Sequence, residues 1–318
     1  MYYIGIDIGG MSIKGGLTDE TGKILVKDSI TTKPDNPYPE TVKDIAELCD
    51  KLMQKAGIDA SKLSGVGMGI PGTINSKKGV ITYSNNIKFE NVPIVKEFRK
   101  HLDVPTYIGN DANCAALGEV VFGQSKGYKD AILITLGTGV GSGIIIDGNI
   151  FEGKDGAGAE AGHMGVRIGG EACTCGKKGC WEAYASAAAL VRQTKRAMQK
   201  HPQSLMHQIA AENGKVSGRT AFKAAREGDR AGASVVNKYA KYVSEGLISL
   251  VNIFRPEILL IGGGVSNEGD YFIKKLQRQV SLHSYGGKRN PYVKVVKASL
   301  LNDAGLLGAV ALCLPRKS

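Results

Sequence analysis

Apolar residues recur along this chain in two rhythms, short dense runs and a helical spacing. Residues 2–8 (YYIGIDI) read as a buried strand, and IKGGLTDETGKILVKDSI reads as a hairpin closing around Asp19–Gly22. Over residues 40–55, Val42, Ile45, Cys49, Leu52 and Met53 fall at helical spacing. Val66–Ile70 and Thr106–Gly109 look like further short strands, with a helix over Asp111–Val121. Ala131–Leu136 and Gly143–Ile146 suggest a second hairpin. Ala183–Lys200 and Ala231–Phe254 read as helices, Ile258–Ile261 as a strand running into GGGV, and Ala304–Leu314 as a closing helix. Strands and helices therefore alternate, as in an α/β chain.

The pattern repeats at an offset of 128. IGIDIGGMSIKGG begins at Ile4 and ILITLGTGVGSGI at Ile132, so that Ile4, Ile6, Gly9 and Gly15 meet Ile132, Ile134, Gly137 and Gly143, while Asp7 meets Thr135. Each segment is an apolar strand with one polar residue, a glycine-rich turn and a second strand. The match suggests two similar α/β halves facing each other over a cleft.

Both turns can lay backbone N–H groups against an anion, because glycine permits close approach and a left-handed φ. Asp7, Ser12, Lys14, Thr135 and Thr138 could add charged or hydroxyl contacts. Each turn could equally be a plain hairpin. Neither is a Walker A loop, since GxxxxGK[ST] is absent. GGGV at 262–265 follows a strand, which suits either a nucleotide approaching the backbone or a simple strand-to-helix turn.

Residues 109–115 read GNDANCA. Asp111 follows a strand and begins a helix, so it is either an N-cap or a carboxylate at the mouth of a cleft. In the second case it could accept the proton of a hydroxyl attacking a γ-phosphate, with Asn110 orienting that hydroxyl.

A length of 318 residues suits about two domains, and 42% hydrophobic residues suffice for ordinary cores. No run approaches the ~18 apolar residues of a membrane span, and the start MYYIGIDIGG lacks the basic and apolar regions of a signal peptide. The cytoplasm is the expected compartment, with no membrane partner. The net charge of +11 raises the question of nucleic acid. Lys and Arg are spread along the chain without a basic run, so the charge reads as a solvated surface that helps draw anionic ligands, and no nucleic-acid partner is expected.

Of six cysteines, Cys49, Cys114 and Cys313 are scattered and read as buried small apolar residues. Cys173, Cys175 and Cys180 lie within HMGVRIGGEACTCGKKGCWE, ten residues after His163. In a reducing compartment such a cluster favours a metal over a disulfide. Thiolates and imidazole are zinc ligands, and four of them close a tetrahedral shell with no position left for water, so a zinc here would be structural. The alternative is a set of reduced, unliganded cysteines.

Taken in order, DIGGMSIKGG, GIPG at 69–72, SNNI at 84–87, NDAN at 110–113, LGTGVGSG, EAGHMG at 160–165, CTCGKKGCWE at 173–182, IGGGV and DAGLLGA resemble the ROK family (repressors, open reading frames and sugar kinases), above all its glucokinases. The likeness runs from Asp7 to Ala309. It implies an actin-like (ribonuclease H-like) two-lobed α/β ATPase fold with an interlobe cleft. Residues 1–108 with 303–318 would form one lobe, and 109–302 the other with a zinc-binding loop. It also implies ATP-dependent phosphorylation of the 6-hydroxyl of glucose, in glycolysis and carbohydrate metabolism, with Mg²⁺, and often a homodimer. On this resemblance Asp111 is the catalytic base. Gly72, Asn86, Asn110, Asp111, Glu160, His163 and Glu182 hold the sugar. Asp7, Gly9, Gly10, Ser12, Lys14, Gly137, Thr138 and Gly139 hold the phosphates, with Asp7 on Mg²⁺ through water, and Gly263 and Gly264 border the nucleoside. His163, Cys173, Cys175 and Cys180 take the zinc, which would fix Glu160 and Glu182 at the sugar. One departure is Met11, where the family carries a hydroxyl residue after the two glycines; Ser12 and Lys14 are the neighbours able to compensate. N-acetylmannosamine or another hexose is the nearest alternative substrate. A sugar sensor or repressor is the alternative of a different class, although the phosphate turn starting at Asp7 leaves no preceding helix-turn-helix.

Overall fold

The structure is a computed structural model that describes residues 1–84 and 86–315. The chain runs β1 (Tyr2–Ile8), β2 (Ser12–Asp19), β3 (Ile24–Thr31), α1 (Tyr38–Ala56), β4 (Leu63–Ile70), β5 (Thr73–Asn75), β6 (Val80–Ser84), β7 (Phe89–Val92), α2 (Ile94–Phe98), β8 (Thr106–Asn110) and α3 (Asp111–Val121). It continues through β9 (Ala131–Leu136), β10 (Val140–Ile146), β11 (Asn149–Ile150), α4 (Glu182–Ala185), α5 (Ala187–Lys200), α6 (Met206–Glu212) and α7 (Gly218–Arg226). Then come α8 (Arg230–Phe254), β12 (Ile258–Gly262), α9 (Asp270–His283), β13 (Lys294–Lys297) and α10 (Ala304–Cys313).

Two five-stranded sheets have the orders β3-β2-β1-β4-β8 and β11-β10-β9-β12-β13. Their second, third and fourth strands include the pairs expected from the 128-residue repeat: β1 and β2 in one, β9 and β10 in the other. A three-stranded sheet, β5-β6-β7, occupies residues 73–92, to which the sequence pattern gives no element.

Two compact units emerge. The first comprises Met1–Ala131, Gly143–Ala159 and the chain from Ser299; the second comprises Ile132–Ser142 and Glu160–Ala298. The first unit thus runs past the residue 108 at which the sequence reading divides the chain, because β8 passes straight into α3 and α3 packs along α10. That packing depends on missing side chains. A Cβ on Gly308 of α10 would lie 1.7 Å from the Cys114 carbonyl oxygen on α3, and one on Gly67 of β4 would lie 1.8 Å from the Ala309 carbonyl oxygen. Glycine at both positions lets α10 lie against helix and sheet alike.

The core of the first unit follows from the apolar alternation of its strands, with Ile4, Ile6, Val66 and Met68 all fully buried, and the inner face of α1 supplies Ile45, Cys49 and Leu52. Cys114 is also fully buried, while Cys313 is half-buried. In the second unit, Trp181 is wholly buried and donates from Nε1 to the Tyr242 carbonyl of α8 at 2.8 Å. Phe222, Tyr239 and Phe272 form an aromatic cluster nearby, with Tyr239 and Phe272 stacked at 5.7 Å.

The helix expected over 183–200 is two helices. Ser186 between α4 and α5 is extended (φ −72°, ψ 162°), and its hydroxyl accepts from Ala189 N at 3.1 Å, capping α5. A serine side chain that satisfies the first free amide of a helix favours a start there over continuation. The other expected helices and strands are present within a few residues of their expected ends. Of the SNNI stretch, residue 85 lies outside the described residues. Among the described residues, no helix is long and apolar enough to cross a membrane.

Candidate active site and metal centre

In the first unit, the ends of β1, β4 and β8 bring Asp7, Gly72, Asn110 and Asp111 into one neighbourhood. β1 and β4 are parallel, as are β4 and β8 with Ile70 opposite Asn110, so their C-terminal ends lie on the same side. The N-cap of α3 is Asn110, not Asp111: its Oδ1 accepts from Ala112 N at 3.0 Å and Asn113 N at 3.2 Å. Its Nδ2 donates to the Gly72 carbonyl at 3.0 Å. Gly72 has φ +120°, and a Cβ there would lie 2.2 Å from the Tyr83 carbonyl oxygen, so glycine is required at this turn. Both ends of the Asn110 amide are therefore committed, and one Nδ2 hydrogen remains for a ligand.

With the cap supplied by its neighbour, Asp111 sits at the first helical position, half-buried, its Oδ1 accepting from Ala112 N at 2.9 Å. Burial pushes its carboxyl above the ordinary range, and backbone hydrogen bonds pull it back only in part. Burial also raises the Asp7 carboxyl, opposed by Lys14 and reinforced by Asp111. Lys14 stands opposite Asp7 in the β1–β2 register. A carboxylate held this way gains from a nearby divalent cation, which favours its charged form, so Asp7 fits a Mg²⁺ with its water shell.

The first glycine turn is tight. Gly9 N donates to the Ser12 carbonyl at 3.0 Å, and Thr32 Oγ1 donates to the Gly9 carbonyl at 2.6 Å. Asn86 lies beside Gly10, 3.8 Å from where a Cβ would stand. Met11 is 87% exposed, so its side chain contributes nothing to the packing of the turn. One neighbour escaped the sequence reading. A Cβ on Gly305, in the first turn of α10, would come within 2.8 Å of Asp7 Cγ. The DAGLLGA stretch carried this signal, but nothing local in it points to Asp7.

In the second unit, the glycine turn, the metal-ligand loop and α4 meet at Glu182. Gly137 N donates to the Gly139 carbonyl at 3.0 Å, and the Gly137 carbonyl accepts from Ala187 N at 2.8 Å. Thr138 is exposed between them, and the space above Gly137 is open, as an anion nest needs. Glu182 Oε2 accepts from Val140 N at 3.0 Å, and its Oε1 is 3.6 Å from Cys173 Sγ. Gly263 (φ +77°) packs against the backbone of Leu136, and Gly264 faces open space.

The metal ligands expected from the sequence converge. The ligand atoms of His163, Cys173, Cys175 and Cys180 all lie within 4.8 Å of one another. Cys173 Sγ is 3.6 Å from His163 Nδ1, and Cys175 Sγ is 3.6 Å from Cys180 Sγ. Tetrahedral zinc with sulfur and nitrogen ligands has edges of about 3.5–3.8 Å. The four residues fit such an ion, with Nδ1 as the ligating ring nitrogen.

Hydrogen bonds tie the loop to its surroundings as well. Trp181 N donates to the Met164 carbonyl at 2.7 Å, Cys173 N to the Lys177 carbonyl at 2.8 Å, and Ala161 N to Ser142 Oγ at 3.0 Å. These bonds hold the stretch 160–163, hence Glu160 and His163, in the same frame as Glu182. Ser142 was not singled out from sequence, where it reads as one more small residue of a glycine-rich strand.

Comparison with known proteins places this architecture. Residues 3–316 match the description "ROK family". The chain is 35% identical to a glucokinase of Thermotoga maritima, over 98% of this chain and 97% of that one. It is 31% identical to a xylose repressor of Caldicellulosiruptor bescii, over 98% of this chain but 77% of the repressor. Among solved structures, a Streptomyces griseus ROK glucokinase in complex with glucose and AMPPNP superposes with a TM-score of 0.81 at 34% identity, over 98% of this chain and 99% of that one. The two similar five-stranded sheets are those of the actin-like ATPase fold, and the chain belongs to the ROK family.

Proposed function

We propose that this protein is an ATP-dependent hexose kinase that phosphorylates the 6-hydroxyl of glucose. The observation that carries the reading is the likeness to glucokinases over nearly the whole of both chains, including one whose structure holds glucose and AMPPNP. The raised carboxyl of Asp111 gives that likeness its chemistry. A general base works best when its pKa lies nearer the working pH than that of a free carboxylate.

In this mechanism Asn110, Glu160, His163 and Glu182 bind the sugar hydroxyls, with Gly72 and Asn86 shaping the first-unit side. The remaining Nδ2 hydrogen of Asn110 is its contribution. Gly9, Gly10, Ser12 and Lys14 of the first turn, and Gly137, Thr138 and Gly139 of the second, receive the phosphates of ATP, while Gly263 and Gly264 border the nucleoside. Ser12 and Lys14 are the neighbours that would make the contact a hydroxyl at position 11 supplies elsewhere in the family. Asp111 accepts the proton of the 6-hydroxyl as its oxygen bonds to the γ-phosphorus; the bond to the bridging oxygen breaks and ADP leaves. Asp7 would hold Mg²⁺, which would neutralise phosphate charge. His163, Cys173, Cys175 and Cys180 would hold a structural zinc that would help orient Glu182 through the loop. The protein acts in the cytoplasm, in glycolysis, as a homodimer without nucleic-acid or membrane partners.

The test is ADP release with glucose, N-acetylglucosamine, N-acetylmannosamine, mannose and fructose, and with the Asp111→Ala variant as control. Preference for glucose, lost in the variant, is the expected result. Preference for another hexose corrects the substrate and keeps the mechanism. No turnover on any of the five defeats the kinase reading in favour of a sensor.

A further inference from the structure

Bordering the proposed sugar site, with Asn110 in its wall, the first unit holds a chamber of about 280 Å³ along the edge of β8. β8 is the last strand of its sheet. Val66 N donates to the Pro105 carbonyl at 2.9 Å, and Val66 stands opposite Thr106, so the peptide groups of Tyr107 and Gly109 face β4. By alternation, Ile108 turns its N–H and C=O towards the edge, where the chamber lies. The wall holds further polar groups. Ser76 Oγ donates to Glu152 Oε1 at 2.7 Å, and Lys77 stands beside them. Asn113 also lines the chamber; it is 4% exposed, and its Oδ1 has no hydrogen-bond partner among the described residues. Ile150 and Leu312 supply apolar surface.

We infer that this chamber is an accessory binding site for a small, neutral polyhydroxyl molecule. A buried amide oxygen without a donor is costly, and a hydroxyl supplies the missing bond. The carboxylate of Glu152 and the free peptide edge of Ile108 also accept hydroxyl donors, and the Ile108 N–H meets a hydroxyl oxygen. Lys77 and Glu152 balance in charge, so an anion gains little there. Ile150 and Leu312 face the C–H side of such a ligand. The occupant would press on α3 at Asn113, two residues from Asp111.

The test is a methyl NMR titration of the full-length protein with sorbitol, which has the hydroxyl array without a sugar ring, and with inorganic phosphate as the anionic control. Saturable shifts of the Ile108, Ile150 and Leu312 methyls with sorbitol, absent with phosphate, are expected. In Glu152→Gln the midpoint should move at least about tenfold to weaker binding, and Ser76→Trp, which fills the chamber, should abolish the shifts. Non-saturable shifts (a chamber holding water alone), equal shifts with phosphate, or a Glu152→Gln titration identical to wild type would each overturn the site. None of these readouts depends on turnover, so the outcome stands apart from that of the kinase assay.

Discussion

The two five-stranded sheets share a strand plan but not a chemistry. In each, a glycine turn links the third strand to the second. At the end of β1 the polar residue is Asp7, raised by burial and paired across the register with Lys14. At the equivalent point of β9 it is Thr135, a neutral residue, and the carboxylate near that turn is Glu182, supplied from α4. The repeat therefore fixes the frame, and the side chain at the strand end decides what the frame can hold. The first turn has a carboxylate and a lysine beside it, whereas the second has amides and a hydroxyl and takes its carboxylate from α4.

The largest effect should come from the base itself. Asp111→Ala is expected to lower kcat by ~10²–10⁴-fold with a smaller change in the sugar KM, measured by ADP release. The asymmetry of the turns is tested next by Asp7→Ala against Thr135→Ala. Loss of the Asp7 carboxylate should cost about 10²–10³-fold in kcat, the scale seen for single electrostatic groups in active sites. Thr135→Ala should cost less than about tenfold. Equal losses would mean that the turns are chemically as well as structurally equivalent.

The metal loop sharpens the second half of the comparison. Purified protein should carry about one zinc per chain. Cys175→Ser should lower zinc retention and weaken glucose binding by roughly 10–100-fold, read as KM. Full metal content in that variant, measured by elemental analysis, would remove Cys175 from the ligand set. A smaller and more selective change is Gly139→Ala. Its Cβ would stand 2.3 Å from Glu182 Oε2, so the carboxylate must shift, and the sugar KM should rise about tenfold. At Gly10 the nearest atom to an added Cβ is 3.8 Å away, so Gly10→Ala should leave the sugar KM unchanged and act, if at all, on the KM for ATP.

Much of this frame could be read from the chain because its strands are dense apolar runs bounded by glycine, and because the four expected metal ligands sit within 18 residues of sequence. Local signals of that kind survive folding. What escaped reading is non-local or locally ambiguous. The β5–β7 sheet is short and mixed in polarity, with exposed Tyr83 and Glu90, so no period stands out. The break at Ser186 hides inside an apolar pattern that continues across it. The cap at Asn110 was open to sequence, since asparagine directly before a helix is a strong N-cap. The approach of Gly305 to Asp7 joins residues some three hundred positions apart and leaves no local trace.

The smallest expected effect turns on what the buried carboxyl costs the fold. Because burial raises the Asp111 pKa, the folded protein binds that proton more tightly than the unfolded chain does. The associated stabilisation is complete below the unfolded value near ~3.9 and is lost as pH rises through the raised folded value. At neutral pH the ionised side chain is therefore a net cost. Asp111→Asn keeps an oxygen that can accept from Ala112 N and removes the charge, so its Tm at pH 7 should exceed wild type by about 2 °C. The gap should narrow as the pH falls and the wild-type carboxyl takes up its proton. Wild-type kcat/KM should decline over the same acid range, because the base must be ionised to accept the hydroxyl proton. A variant less stable than wild type at pH 7 would mean that the bond from Ala112 N, 2.9 Å long, outweighs the burial of the charge. Asp111 would then be held in place by the helix start rather than against it.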